Sequence, residues 1–495
     1  NRLCGCEEII DKAESRSKAP SEPSREPIAI IGISGRYPRA KNLNEFWDNL
    51  KDAKACITEI PADRWALDGF YEPDKKLAVE AGKSYCKWGG FVDGFADFDA
   101  QFFAISPNEA MNMNPQERLF LECAWATFED AGYTRDRLKD HNKVGVFVGV
   151  TKTGYELYGP GLWNQGKKAF PHTSFASVAN RVSYCMNLTG PSMPVDTMCS
   201  SSLTAIHEAC EHLLRGECEM ALCGGVNLYL HPSSYVALSS LQMLSREGQC
   251  KSFGEGADGM VPGEGVGAVL LKRLSDAERD QDNILAVIHA TGINHGGKTN
   301  GYTVPNPVVQ AELIRAVLDK AGLNARDVSY IEAHGTGTEL GDPIEISALT
   351  SAFKKDTADT GFCSIGSLKS NIGHLESAAG IAAVTKVVLQ LQHNMLVPSL
   401  HAQKPNPHID FAKTPFVIQQ ALSSWNSGSK FAGISSFGAG GANAHIIVGQ
   451  YVQAQRPQGL HSGPVVIVLS AKNEERLNEQ KLQLAQVLNR FTNKD

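Results

Sequence analysis

Residues 195–214 read VDTMCSSSLTAIHEACEHLL. A strand-like segment stops at Asp196, turns through Cys199 and three serines, and resumes as an amphipathic helix. At a helix start the unpaired amides and the macrodipole favour a thiolate, and the same amides can face an oxyanion. Ser200, Ser201 and Ser202 are small enough to leave such a thiol accessible. A buried structural cysteine is the commoner fate in general. Cys123, Cys185, Cys210, Cys218, Cys223, Cys250 and Cys363 are read that way. Cys199 alone combines a helix start with a small polar turn, which points to a nucleophile.

A thiol nucleophile works with a histidine close in space. Of the 14 histidines, two sit at junctions like that of Cys199: His334 in YIEAHGTGTELGDP and His374 in SLKSNIGHLESAAG. Each closes an extended segment and meets a Gly-rich turn before a helix. In open α/β layers, ligands gather beyond the carboxyl ends of strands. The two histidines and Cys199 could therefore converge on one site. Thr336 and Thr338 offer hydroxyls to a polar chain. Lys369 either joins a local charge network with an acid such as Glu345 or is an exposed lysine.

The elements that must position these residues alternate along the chain. Apolar runs at 28–33, 143–150, 220–230, 265–274, 284–294 and 328–334 predict strands. Residues 311–322 predict an amphipathic helix with a glycine stop, and 375–393 a nearly all-apolar, buried one. Residues 431–449 read as strand, Gly-rich turn, strand. Such alternation implies an α/β fold with helices on the sheet faces. SAAGIAA is explained by close packing alone, whereas the glycines of GAGGANA are costly in chain entropy unless something must fit there. Residues 1–26 are polar, charged and Pro/Ser-rich, and read as a linker. The globular domain spans 27–450. Residues 451–495 read as a polar connector, a strand at 464–470 and a helix capped by Ser470, the start of a flanking element.

Composition excludes several function classes. With 495 residues, 42% of them hydrophobic and 20% charged, the chain is globular. A net charge of −7 gives no basic field for nucleic acid. No apolar run is long enough to span a bilayer, and NRLCGCEEII lacks a signal-peptide pattern. The 12 scattered cysteines read as reduced thiols of a cytoplasmic protein. Cys4 and Cys6 form a CxC without a partner pair at ligand spacing, so no metal is expected.

VDTMCSSSL, EAHGTGTELGDP, KSNIGHLESAAG and SSFGAGGANAH, in that order, resemble the ketosynthase domain of modular polyketide synthases, a β-ketoacyl-acyl-carrier-protein synthase. The resemblance extends from Glu26 to about Gly449 and includes EPIAIIGISGRYP and MNPQERLFLECAWATFEDAGY. It implies a thiolase-like, five-layered αβαβα fold made from a duplicated βαβαβαββ unit and assembled as a homodimer. It implies that Cys199 accepts an acyl chain from a carrier-protein phosphopantetheine thioester. His334 and His374 would bind the malonyl thioester and promote decarboxylation. The amides of Cys199 and Ala439 would form the oxyanion hole. Thr336 and Thr338 would contact pantetheine, and Lys369 would support the site with Glu345 as its partner. No bound cofactor is implied, because the substrates ride on acyl carrier proteins beside neighbouring synthase domains.

Fatty-acid synthases carry a bulky gatekeeper where this chain has Ala439, two residues after Phe437. The methyl group, with Met198 next to Cys199, suggests an acyl pocket for larger chains. The wording of SFGAGGANAH and DTMCSSSLTAIH resembles the trans-acyltransferase type. A thiolase needs a second cysteine near its C-terminal glycines, and GAGGANAH has none. Non-elongating ketosynthases commonly lack the histidine present here as His334. A branching ketosynthase uses the same three residues and stays open, as do the length and substitution of the acyl chain and the pathway.

Overall fold

The computed structural model describes residues 26–428, 430–452 and 466–492, and the chain divides into one unit ending at Tyr451 and a second beginning at Val452. The Cys4/Cys6 pair and the N-terminal linker lie outside the described residues, apart from Glu26.

Apolar runs that need cover on both faces build one eleven-stranded sheet in the first unit. Its amino-terminal half holds β1 (Ile28–Arg36), β2 (Val144–Gly149), β3 (Ser192–Val195), β4 (Met220–Asn227) and β5 (Gly265–Arg273). Their order is β3-β2-β4-β5-β1. The other half holds β6 (Ala286–His295), β7 (Val328–Glu332), β8 (Cys363–Gly366), β9 (Phe416–Ile418), β10 (Phe431–Phe437) and β11 (Ala442–Gly449). Their order is β9-β8-β7-β10-β11-β6. Apart from the extra edge strand β9, the second half repeats the first. In each, three parallel strands are followed by two antiparallel ones. The halves meet where Ile28–Ile30 of β1 pairs antiparallel with Ala286–Ile288 of β6.

The helices repeat with the strands. Helices α1 (Pro115–Asp130) and α2 (Phe175–Met186) pack on one half with their own apolar core. Helices α4 (Pro307–Ala321) and α5 (Gly341–Phe353) pack on the other. Between the halves lie α3 (Ser201–Leu214) and α6 (Ala379–His393), whose side chains share a core with strands from both. The result is the expected thiolase-like succession of five layers. The close approach foreseen for SAAGIAA occurs at Gly380, where an added Cβ would lie 2.6 Å from Leu203 Cγ and 2.9 Å from its backbone nitrogen.

Local signals set several boundaries. β2 is buried at every position, as a strand covered on both faces must be. α4 starts earlier than its apolar pattern suggests. The Asn306 side chain accepts from Val308 and Val309 N–H, Pro307 occupies the first turn, and Gly322 stops the helix at φ 66°. α6 starts later than predicted, because residues 376–378 form a separate 3₁₀ turn. In the second unit no strand forms at 466–470, where Val466 and Val468 are 86% and 85% exposed and lack a paired ladder. Helix α7 (Glu474–Thr492) is capped by Asn473, whose side chain accepts from Arg476 N–H at 2.9 Å, and not by Ser470.

Candidate active site

The repeat brings the chemistry together. β3 leads into α3 through Cys199, and its counterpart β8 leads toward α6 through Lys369 and His374. His334 lies two residues beyond β7, and Lys152 lies three residues beyond its counterpart β2. All lie beyond the carboxyl ends of parallel strands. Cys199, His334, His374 and Lys152 line one cleft of about 1070 Å³ together with Phe437 and Ala439 of the β10–β11 turn, and Lys369 is buried behind it.

Cys199 occupies a short 3₁₀ turn directly before α3. Met198 ahead of it has φ 57°, a left-handed conformation that is strained for its side chain. The serines do more than leave room. Ser201 Oγ donates to Met198 O at 2.6 Å, and Ser200 Oγ donates to Ala442 O at 3.0 Å, tying the cysteine turn to the Gly-rich turn. Ser202 Oγ accepts from Ile381 N–H at 3.0 Å. Burial and the charge of Glu376 push the Cys199 thiol up to about 11, although the Ala439 N–H, Lys369 and Lys152 pull it down. The resting group is therefore a thiol, not the thiolate foreseen from the helix end, because the cost of burying the charge prevails. The seven cysteines read as structural are buried except Cys185, which is half-buried.

The two imidazoles are turned the same way. His334 Nδ1 accepts from Phe437 N–H at 3.3 Å, and His374 Nδ1 accepts from Glu376 N–H at 3.1 Å. Each neutral ring thus keeps its proton on Nε2. Burial, with Lys369 nearby, holds both rings well below the usual histidine range. Their centroids are 5.4 Å apart. His374 Nε2 is buried and has no protein partner. A donor so placed must find its acceptor in a ligand or water.

Glu345 has a part beyond the expected one, and it and Lys369 attract each other without direct contact. Its two carboxylate oxygens accept from His334 N–H at 2.7 Å and Gly335 N–H at 2.8 Å, and burial raises its pKa to about 7. It clamps the backbone that carries His334 and forms no ion pair with Lys369. Lys369 is 6% exposed, which removes the surface alternative. Burial lowers its pKa, and Glu332 exerts the strongest opposing pull while itself paired to Lys386 at 2.7 Å. Asp342 repeats the clamp one turn away, accepting from Gly337 and Phe253 N–H. Thr336 and Thr338 line the cleft with their hydroxyl oxygens 3.1 Å apart. Met198 lines it as well and is 42% exposed.

Residues 25–277 match the model of the β-ketoacyl synthase N-terminal domain, 285–403 that of the C-terminal domain, and 405–493 that of the ketoacyl-synthetase C-terminal extension. The chain belongs to the β-ketoacyl synthase family. As a ketosynthase it is similar to part of polyketide synthase PksL of Bacillus subtilis, at 52% identity over 97% of this chain and 11% of that protein. It matches polyketide synthase ThaG of Burkholderia thailandensis at 53% identity over 96% of this chain and 9% of that one. The ketosynthase chain thus spans about a tenth of the length of these relatives. Among solved structures, the oxazolomycin ketosynthase domain OzmH KS7 of Streptomyces albus superposes with a TM-score of 0.90 at 48% identity, covering 94% of this chain and 80% of that one. The ketosynthase from module 6 of the bacillaene synthase of Bacillus subtilis gives 0.84 at 43%, covering 95% and 78%.

Sequence reasoning missed three side chains in or behind this ketosynthase cleft: Lys152, Glu376 and Tyr229. Lys152 lies three residues beyond the end of β2 and Glu376 two residues after His374, so the strand-end rule applied to GVTKTGY and GHLES would have found both. Tyr229, buried in NLYL, gave no signal.

Proposed function

We propose that this ketosynthase elongates a polyketide chain by decarboxylative condensation. The observation that supports it best is the pair of neutral imidazoles whose Nε2 protons are available to the cleft that holds Cys199. In the first step Cys199 Sγ attacks the thioester carbon of an acyl-carrier protein, and its proton ends on the departing pantetheine thiol. The amides of Cys199 and Ala439 receive the carbonyl oxygen as it gains charge. In the second step His334 and His374 donate to the thioester oxygen of malonyl-carrier protein. Carbon dioxide leaves, and the electron pair remains as an enolate held by those donors. The enolate carbon attacks acyl-Cys199, the C–S bond breaks, and the thiolate takes up a proton. The product is a β-ketoacyl-carrier protein two carbons longer.

The proposal includes Thr336 and Thr338 as pantetheine contacts, Lys369 as a supporting charge, Glu345 as a positioning residue, and Met198, Phe437 and Ala439 as acyl-pocket walls. Residues 27–450 are the catalytic domain, 1–26 a linker and 451–495 the start of a flanking element. Acyl carrier proteins are the partners, beside neighbouring domains of a cytoplasmic synthase of the trans-acyltransferase type. A homodimer is supported by the edge position of β3 and by exposed Tyr184, Phe170 and Trp163. No described helix is long and apolar enough to cross a membrane. The test is intact-mass spectrometry. A short acyl thioester should add one acyl group on Cys199, and malonyl-carrier protein should then discharge it with release of a β-ketoacyl product. Persistence of the acyl-enzyme would refute the condensation.

A further inference from the structure

The condensation gives no task to an ion pair in the wall of the cleft. Lys152 Nζ stands 2.8 Å from Glu376 Oε2. The Tyr229 hydroxyl donates to Glu376 Oε1. The Lys152 ammonium also lies 5.3 Å from the centroid of the Tyr229 ring. The side chains of Lys152 and Glu376 keep 15% and 10% of their accessible surface, and both line the cleft with Cys199 and His374. Glu376 has φ 42°, a left-handed conformation that glutamate adopts only when its surroundings over-determine it. Three ties do so here: Tyr229 on one oxygen, Lys152 on the other, and the Glu376 N–H on His374 Nδ1.

A buried ion pair is weak evidence for stability, because desolvation offsets its attraction. Location separates this pair from the others. The Lys386–Glu332 pair is closed off from solvent, at 0% and 1% exposure, and neither residue lines the cleft. Lys152 and Glu376 instead form part of the wall beside the nucleophile. Thr151, Thr153, Ser233 and Ser234 line the same cleft, which also has an apolar side at Leu238, Met243 and Met260. The cleft therefore offers an acyl chain both an apolar and a hydrogen-bonding wall.

We propose that the Lys152–Glu376 pair recognises an oxygen substituent near the thioester end of the acyl chain, so that β-hydroxyacyl groups are preferred over unsubstituted ones. This rests on the ketosynthase reading of the cleft and deepens it. The ammonium has three N–H donors, of which the ion pair occupies one direction, and it can donate to the substituent oxygen. The Glu376 carboxylate accepts the proton of the hydroxyl. A hydroxyl uses the hydrogen-bonding capacity that the ion pair leaves over, whereas an alkyl chain desolvates the pair and supplies nothing in return, an arrangement that discriminates between isosteres.

The test is single-turnover acylation of the full chain by butyryl-pantetheine and by each enantiomer of 3-hydroxybutyryl-pantetheine, followed by intact mass. The ratio of rates is the readout. In the wild type at least one hydroxy enantiomer should react about tenfold faster than butyryl, or more. In the double variant Lys152→Met/Glu376→Gln, which leaves no unpaired charge, the ratio should fall to about one. Lys152→Gln, which keeps a donor, should retain part of the preference and covers the case in which the double variant does not fold. Equal rates in the wild type, or a ratio that survives in the variants, would overturn the proposal. So would a variant defect confined to condensation, which would assign the pair to the malonyl carboxylate instead. Undiscriminating acylation of Cys199 sinks this inference alone; no acylation by any thioester sinks the ketosynthase reading with it.

Discussion

Replacing Glu345 by Gln tests the backbone clamp under His334, and its cost should depend on pH. Glutamine has one acceptor oxygen, so one of the two amides now held by the carboxylate loses its partner. An unsatisfied buried N–H costs about 1–3 kcal/mol. The substitution also removes a group that the fold prefers uncharged. Burial raises its pKa from 4.5 to about 7. The stability this group contributes to the wild type is thus full below pH 4.5 and is lost as pH rises through 7. Between pH 5 and pH 8 the loss amounts to about 2–3 kcal/mol. The variant does not share it. Glu345→Gln should therefore be clearly destabilised at pH 5 and much closer to wild type at pH 8. For a body of this size, the gap in melting temperature should narrow by about 3 °C. Paired thermal melts at the two pH values measure it. A gap that stays constant, or widens toward pH 8, would refute the reasoning.

Alkylation of Cys199 by iodoacetamide should accelerate about tenfold per pH unit from pH 7 to 10, as expected for a thiol held near 11; a plateau near pH 8 would restore the helix-end thiolate. Gly438→Ala would place a Cβ 2.4 Å from Thr197 O and so displace the turn that presents the Ala439 amide. Acylation should fall by about a hundredfold in that variant, beyond any change in melting, and an unchanged rate would remove the Ala439 amide from the oxyanion site.

Much of the fold was legible because the buried strands are continuous apolar runs and the helices between them carry caps and glycine stops. The pairing order and the duplicated halves were not, since strands such as β3 and β8 are short and their partners are distant in sequence. Cys199, His334 and His374 stood out as reactive types at strand-to-helix junctions. The role of Glu345 did not, because a side chain that accepts backbone amides leaves no mark on its neighbours' identities. Lys369 looked equally suited to surface and interior until its burial was known. The thiol's high pKa also escaped the sequence, since the helix start is local while the burial comes from elements far along the chain. At 466–470 the apolar pattern misled, because a strand needs a partner that periodicity cannot supply.

The most direct test of the central claim separates loading from condensation in His374→Ala. Wild type and variant are first acylated by the same thioester, then mixed with malonyl-carrier protein, and the acyl-enzyme is followed by intact mass. The account predicts that the variant loads Cys199 but discharges it at least about a hundredfold more slowly than wild type, because it lacks the buried, unpartnered Nε2 donor that we assign to the enolate oxygen. Discharge at the wild-type rate, with formation of the elongated product, would contradict it.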